Sequence, residues 1–250
     1  MSSSVPTPPA APRLLAGASG FSYKEWCGSF YPEKLAADAM LGFYAERLPT
    51  VEINNTFYRM PKREMLEHWT EVVPPHFRFA VKASRRITHD GRLKAEQVAE
   101  SVDYLYRNLQ SLGERRGPVL FQLPPNLKRD LPRLTDFLAL LPEGHRAAFE
   151  FREPSWFDDA VYAALNAAGA ALVLSEREDN APPPLERTAD FGYLRLRLEH
   201  YGDAELAAWA ERIAATGWGE SYAYFMHEPT APGYAQALMT LMAQAAPNPG

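Results

Sequence analysis

The chain has 250 residues, 46% hydrophobic and 23% charged, with a formal net charge of −5. That fits a globular protein able to bury a sizeable core, and it excludes one that coats nucleic acid by bulk charge, leaving only local basic patches. The single cysteine, Cys27, excludes an internal disulfide framework and suits a reducing compartment. No apolar run approaches the roughly 18 residues of a membrane span. The opening MSSSVPTPPAAP has neither a basic nor an apolar leader region, so a cytoplasmic protein with no membrane partner is expected. Residues 1–12 read as a loose Ser/Pro/Ala tail before a single domain over 13–246.

In chain order, short β-rich runs alternate with stretches of helical period. LLAGAS from Leu14 precedes DAMLGFYAERL, TVEIN from Thr50 precedes KREMLEHWTEVV, and FRFAVKA from Phe77 precedes AEQVAESVDYLYRNLQSLG. PVLFQL from Pro118 precedes LPRLTDFLALLP, and AAFEF from Ala147 precedes DDAVYAALNAAG. AALVLS from Ala170 is followed instead by SEREDNAPPPLERTAD, whose consecutive prolines cannot hold a full helix. GYLRLRL from Gly192 precedes DAELAAWAERIAATG, and SYAYFM from Ser221 precedes YAQALMTLMAQA. Apolar residues at i, i+3 and i+4 mark the helices. Gly113, Gly169 and Gly217 supply helix stops, and Asp130 before Leu131 and Pro132 supplies an N-cap.

Strand starts roughly 22 to 41 residues apart favour parallel βα units over hairpins. Eight such units predict an α/β fold, a TIM-like (β/α)8 barrel with the helix between strands six and seven short or missing. A doubly wound open sheet is the competitor. No GxGxxG follows the first strand, and no nucleotide cofactor is expected.

Alternation along the strands raises a question at TVEINNTFYRMP: Val51 and Ile53 suit a packed face, yet Glu52 sits between them. Buried ionised groups cost several kcal/mol unless paired. Sorting the other strands by parity repeats the pattern. Ala80, Lys82 and Ser84 oppose Phe79 and Val81; Leu120 and Gln122 oppose Val119 and Phe121; Glu150 and Arg152 oppose Phe149 and Phe151. Tyr193, Arg195 and Arg197 oppose Leu194 and Leu196. Glu52, Lys82, Gln122, Glu150 and Arg195 therefore converge on one pocket at the carboxyl ends, where barrel active sites lie. Strands one and six read alike on both faces, and strand eight presents either Tyr222 and Tyr224 or Phe225 and His227.

GASGFSYKEWCGSFYP, PTVEINNTFYRMP, FRFAVKASRRITH, GPVLFQLPP and FEFREPSWF, in this order, resemble the family of domain of unknown function 72, or YecE-like proteins. The resemblance implies a TIM-like barrel of unestablished activity, for which a relation to barrel nucleases acting on abasic DNA has been suggested. Its motif positions are Ser19, Tyr23, Trp26, Glu52, Asn54, Phe57, Tyr58, Lys82, Gln122, Glu150, Arg152, Trp156 and Phe157. Strand eight departs from the family pattern: YFMHEP stands where relatives resemble YFNND or YFDND, which puts His227 and Glu228 at the rim.

The pattern suits acid/base chemistry on a small anionic ligand, with a phosphoester among the candidates. Glu52 and Glu150, three strands apart, would be the titrating pair. Lys82 and Arg195 would meet negative charge, while Gln122 and Asn54 orient it. Ser19, Tyr23, Trp26, Tyr58, Arg152, Trp156 and His227 complete the expected ligand contacts. Other readings stay open. A glycosidase would use the same carboxylates, although neighbouring cations disfavour a general acid. His89, His200 and His227 keep a divalent metal, and a metal-dependent nuclease, among the candidates without any tight ligand spacing. KASRRITHDGRLK points to an anionic ligand and only weakly to nucleic acid. The competing class is a binding protein without turnover, and the bland one is a charge-paired plug. Cys27 reads as structural.

Overall fold

The eight runs pair side by side as parallel strands: β1 (Arg13–Ser19), β2 (Thr50–Ile53), β3 (Arg78–Lys82), β4 (Arg116–Gln122), β5 (Ala147–Glu150), β6 (Ala171–Ser175), β7 (Phe191–Leu196) and β8 (Glu220–Phe225). They close in sequence order, with β8 parallel to β1, so the structure is a TIM-like barrel and not an open sheet. The computed structural model describes residues 13–176, 184–226 and 229–245. The tail at 1–12, residues 177–183 of the proline-rich stretch after β6, His227 with Glu228, and residues 246–250 lie outside the described residues.

Seven α-helices are found among the described residues: α1 (Met40–Ala45), α2 (Arg63–Val72), α3 (Ala95–Leu109), α4 (Leu131–Leu138), α5 (Asp159–Ala167), α6 (Asp203–Ala215) and α7 (Ala231–Ala245). Between β6 and β7, the described residues 184–190 contain no helix. The helix signals read locally hold. Asp130 accepts from the Arg133 backbone N–H at the start of α4, and Gly169 and Gly217, with φ of 62° and 70°, follow α5 and α6. Gly113 takes φ 53° beyond the 3-10 extension of α3. In α3 the buried residues Val98, Val102, Leu105, Tyr106 and Leu109 fall on one stripe, which joins the layer between barrel and helices.

Strand parity divides the apolar residues into two clusters. Ala18, Val51, Phe79, Val81, Phe121, Phe149, Leu172 and Leu194 belong to the cluster packed under the helices. Leu15, Ala80, Leu120, Ala148, Val173, Tyr193, Tyr222 and Tyr224 form a separate interior cluster. This settles the ambiguous strands: Tyr222 and Tyr224 face inward from β8, and Phe225 packs outward. The amino end is closed by charge, where Glu220 pairs with Arg146 and, at 3.2 Å, with Arg13, and accepts from the Tyr222 hydroxyl at 2.6 Å. An apolar plug over a sealed base leaves the carboxyl mouth as the place where interior polar residues gather.

The β1–β2 seam depends on a glycine. The Tyr44 hydroxyl of α1 donates to the Thr50 carbonyl at 2.9 Å and accepts from the Ala18 N–H at 2.8 Å, bridging the two strands. A Cβ on Gly17 would stand 2.1 Å from Thr50 O and 2.9 Å from that hydroxyl. Neither backbone nor buried phenol can yield cheaply, and overpacking of this kind costs about 1–3 kcal/mol. Gly17→Ala should therefore lower the urea midpoint with an unchanged denaturant slope; an unaltered midpoint would show that the seam has slack.

Candidate functional site

The site is organised around Arg195, which β7 carries inward with its guanidinium only 1% exposed as a residue. Its Nε and Nη2 donate to Glu52 Oε2 and Oε1 at 3.0 and 2.8 Å, a bidentate pair, while Nη1 donates to Glu150 Oε2 at 2.6 Å. Glu52 and Glu150 are 0% and 2% exposed. Further donors saturate Glu52: Ser19 Oγ at 3.0 Å and Asn54 Nδ2 at 3.1 Å reach Oε1, and the Tyr193 hydroxyl reaches Oε2 at 2.7 Å. Gln122 Nε2 donates to Glu150 Oε2 at 2.9 Å. Among the described residues Glu150 Oε1 has only a long contact, 3.5 Å, from Arg197, whose Nε donates to Ser175 at 3.0 Å.

Electrostatics fix the protonation states. Burial alone would raise both carboxyls, but the charge of Arg195 overrides it for each. Glu52 is held below the usual carboxylate value with help from Tyr193 and Asn54, and Glu150 is drawn down to about 2 with help from Arg197 and Gln122. Both are anions at neutral pH. Tyr193, pushed well above its usual value by burial and by Glu52, stays a neutral donor. Because a carboxylate only accepts, the Asn54 amide nitrogen must face Glu52, and among the described residues its buried Oδ1 is left without a partner. Asn54 is also one of the residues lining a 210 Å³ hollow, with Ser19, Tyr23 and Asn55 among the others.

Lys82 differs from the rest. It ends β3 on the interior parity, part-buried, with its Nζ 4.5 Å from the Phe57 ring centroid. Among the described residues no hydrogen-bond or ion-pair partner reaches it. Burial, then Arg195, lowers its pKa from 10.5 to about 8, against the pull of Glu52 and Glu150. Arg152 follows β5, part-buried, and its charge is felt by Arg197 and by His89. Counting described groups at the mouth, Arg195, Arg197, Lys82 and Arg152 carry four positive charges against the two negative charges of Glu52 and Glu150, an excess of two.

The expected site residues thus divide. Ser19, Glu52, Asn54, Gln122, Glu150 and Arg195 meet in one network, with Lys82 and Arg152 beside it. Tyr23 closes the β1 loop, donating to the Ser19 carbonyl at 2.6 Å. Trp26 and Trp156 are both fully buried. Trp26 packs among Phe30, Tyr31 and Tyr44, and Trp156 stacks on Phe151 at 4.7 Å and donates to Leu127 O at 2.6 Å. Tyr58 is also displaced from the pocket, being 79% exposed beside a separate 680 Å³ groove shared with Arg86 and Tyr104. His227 lies outside the described residues. The expected list omits Tyr193, Arg197 and Ser175; the first two share the parity of Arg195 and were within reach of that reading. Among the described residues no three His, Cys, Asp or Glu side chains converge as a metal site. None of the described helices is long and apolar enough to cross a membrane.

A closed parallel barrel with an ion-paired, cation-rich centre at its carboxyl mouth defines a TIM-like barrel protein with a polar site. The chain belongs to the family described as protein of unknown function DUF72, whose sequence model matches residues 15–249. It is 33% identical over 115 residues to the UPF0759 protein YecE of Escherichia coli, covering 46% of this chain and 42% of that protein. It is 29% identical over 146 residues to YunF of Bacillus subtilis, covering 54% and 50%. The matched stretch thus spans about half the length of these curated relatives. A DUF72 family protein of Thermotoga maritima shares the fold with a TM-score of 0.75 at 24% identity, over 93% of this chain and 98% of that one.

Two outcomes follow from the network. Arg195→Met would strand two buried carboxylates, so a loss of about 3–5 kcal/mol in chemical unfolding is expected; a loss below about 1 kcal/mol would mean the pair is not held as described. Glu150, lowered from 4.5 to about 2, contributes stability that is complete above 4.5 and is lost as pH falls towards 2. Glu150→Gln should flatten that acid limb in unfolding measured against pH; an unchanged limb would contradict it.

Proposed function

We propose that the carboxyl mouth binds a small anionic ligand, with a phosphate or phosphoester as the fitting class, and that Lys82, not the carboxylates, is the group that transfers protons. The observation that carries this is the unmatched positive charge of Lys82 beside Arg152 and Arg197, in a network whose carboxylates are already committed to Arg195. Guanidinium and ammonium groups in a partly desolvated concavity are a natural clamp for such an anion. Glu52 cannot act as a general acid while ionised and saturated; its part is to hold Arg195 in place. Glu150 Oε1 keeps capacity to accept a ligand hydroxyl. The same saturation favours a second reading, binding without turnover, and a substrate screen in which Lys82→Met abolishes a detected turnover decides between them.

The clamp makes a pH prediction. With the Lys82 pKa at about 8, the ammonium is mostly present at pH 7 and mostly lost by pH 9.5. Sulfate, whose own charge is constant over that range, should bind in calorimetry at pH 7 and roughly tenfold more weakly at pH 9.5. Lys82→Met should bind weakly at both values and lose the pH dependence. Equal sulfate affinity for the two proteins would overturn the assignment.

A further inference from the structure

The position of Lys82 asks for more than a counter-charge. A lysine retained only to balance the interior would pair with Glu52 or Glu150, yet Arg195 occupies both, and among the described residues the amine has neither an ion-pair nor a hydrogen-bond partner. The charged groups that act on it come from several elements: Arg195 of β7 and Arg197 just beyond it, Glu52 of β2 and Glu150 of β5, while Lys82 in turn acts on His89 in the helical turn after β3. Its Nζ stands over an apolar group, the Phe57 ring, at 4.5 Å from the centroid. The ring face favours the ammonium form, but burial and the two guanidiniums act the other way and prevail. A desolvated lysine set among other cations is the arrangement that makes an amine nucleophilic near neutral pH. With a pKa of about 8, roughly a tenth of Lys82 is free amine at pH 7, against well under a hundredth for a surface lysine.

We infer that Lys82 is a nucleophile towards carbonyl carbon, and that the ligand is a small anionic aldehyde or ketone which condenses with Nζ to form an imine. The inference rests on the anion-binding reading above, because Arg152 and Arg197 hold the anionic end while the carbonyl meets Lys82. The Nζ lone pair forms the C–N bond as the carbonyl π pair moves to oxygen, which takes up a proton. Nitrogen then loses a proton, the hydroxyl takes up a proton and leaves as water while the nitrogen lone pair closes the C=N bond, and the protonated imine releases its N–H proton to solvent. Amine and carbonyl give imine and water, so no oxidant or reductant is consumed. Glu150 Oε1, which takes only a long contact from Arg197 at 3.5 Å, keeps capacity to accept from the carbinolamine hydroxyl.

Reductive trapping tests this on the full chain. The protein is incubated at pH 7.5 with glycolaldehyde phosphate and cyanoborohydride, and the site of mass addition is mapped by peptide mass spectrometry. Lys82 should be labelled roughly tenfold faster than the surface lysines Lys24, Lys34 and Lys128. Sulfate should suppress the labelling, and Lys82→Arg, which keeps the cation, should abolish that fast addition while still binding sulfate. Pyruvate in place of the phosphate compound separates a carboxylate from a phosphate as the anionic end. Absence of preferential Lys82 labelling in a protein that binds sulfate would overturn the imine and leave the anion site standing. Equal labelling of Lys82 by uncharged glycolaldehyde, with no effect of sulfate, would instead overturn the anionic ligand and the proposed function with it.

Discussion

A guanidinium and two carboxylates have been taken out of water in this barrel, at several kcal/mol of solvation for each ion, and they persist because the geometry returns nearly all of it. Arg195 forks onto Glu52 with two hydrogen bonds and reaches Glu150 with a third, while Ser19, Asn54, Tyr193 and Gln122 fill the remaining acceptor sites. The arrangement ties β2, β5 and β7 together across the lumen. It also commits the hydrogen-bonding edges of both carboxylates to one cation. The chemical character of the site follows from that commitment: an amine and two guanidiniums outnumber the one negative charge that Arg195 leaves over, an excess of two positive charges.

The fold makes the arrangement affordable. Beneath the ion network lies an interior of Leu15, Ala80, Leu120, Val173 and tyrosine rings, and the amino end is sealed by Glu220 with Arg146 and Tyr222. Small residues on β3, β5 and β6 leave the room that Tyr193, Tyr222, Tyr224 and Arg195 occupy from the opposite side. The plug keeps water from reaching the network from below, so electrostatic effects in it are larger than at the surface. Lys82 stands at the edge of this region, dry enough to shift and open enough to be reached.

Much of this was legible in the sequence wherever one strand face was plainly apolar. Val51 and Ile53 left Glu52 with only one direction to point, and the same logic placed Lys82, Gln122, Glu150 and Arg195. It failed for LLAGAS, AALVLS and SYAYFM, where small or aromatic residues suit either face, and only the closed barrel selects Tyr222 and Tyr224 for the interior. Aromatic identity says less, since a large ring signals burial as readily as binding: Trp26 and Trp156 are buried, while Tyr58 is exposed beside another groove. What parity could not supply was the pairing. Which carboxylate meets which cation depends on barrel shear and closure, so the sequence could list the charges without showing that Arg195 claims both acids and leaves Lys82 alone.

The claim on which the account turns is that Lys82 is an uncompensated, partly desolvated amine. Titration of the protein labelled with [15N]lysine, with the Lys82 resonance assigned by its loss in Lys82→Arg, measures it directly. The account predicts a midpoint near 8 in the anion-free protein, moving upward when sulfate is added. A midpoint at the ordinary lysine value of 10.5, unmoved by sulfate, would contradict it.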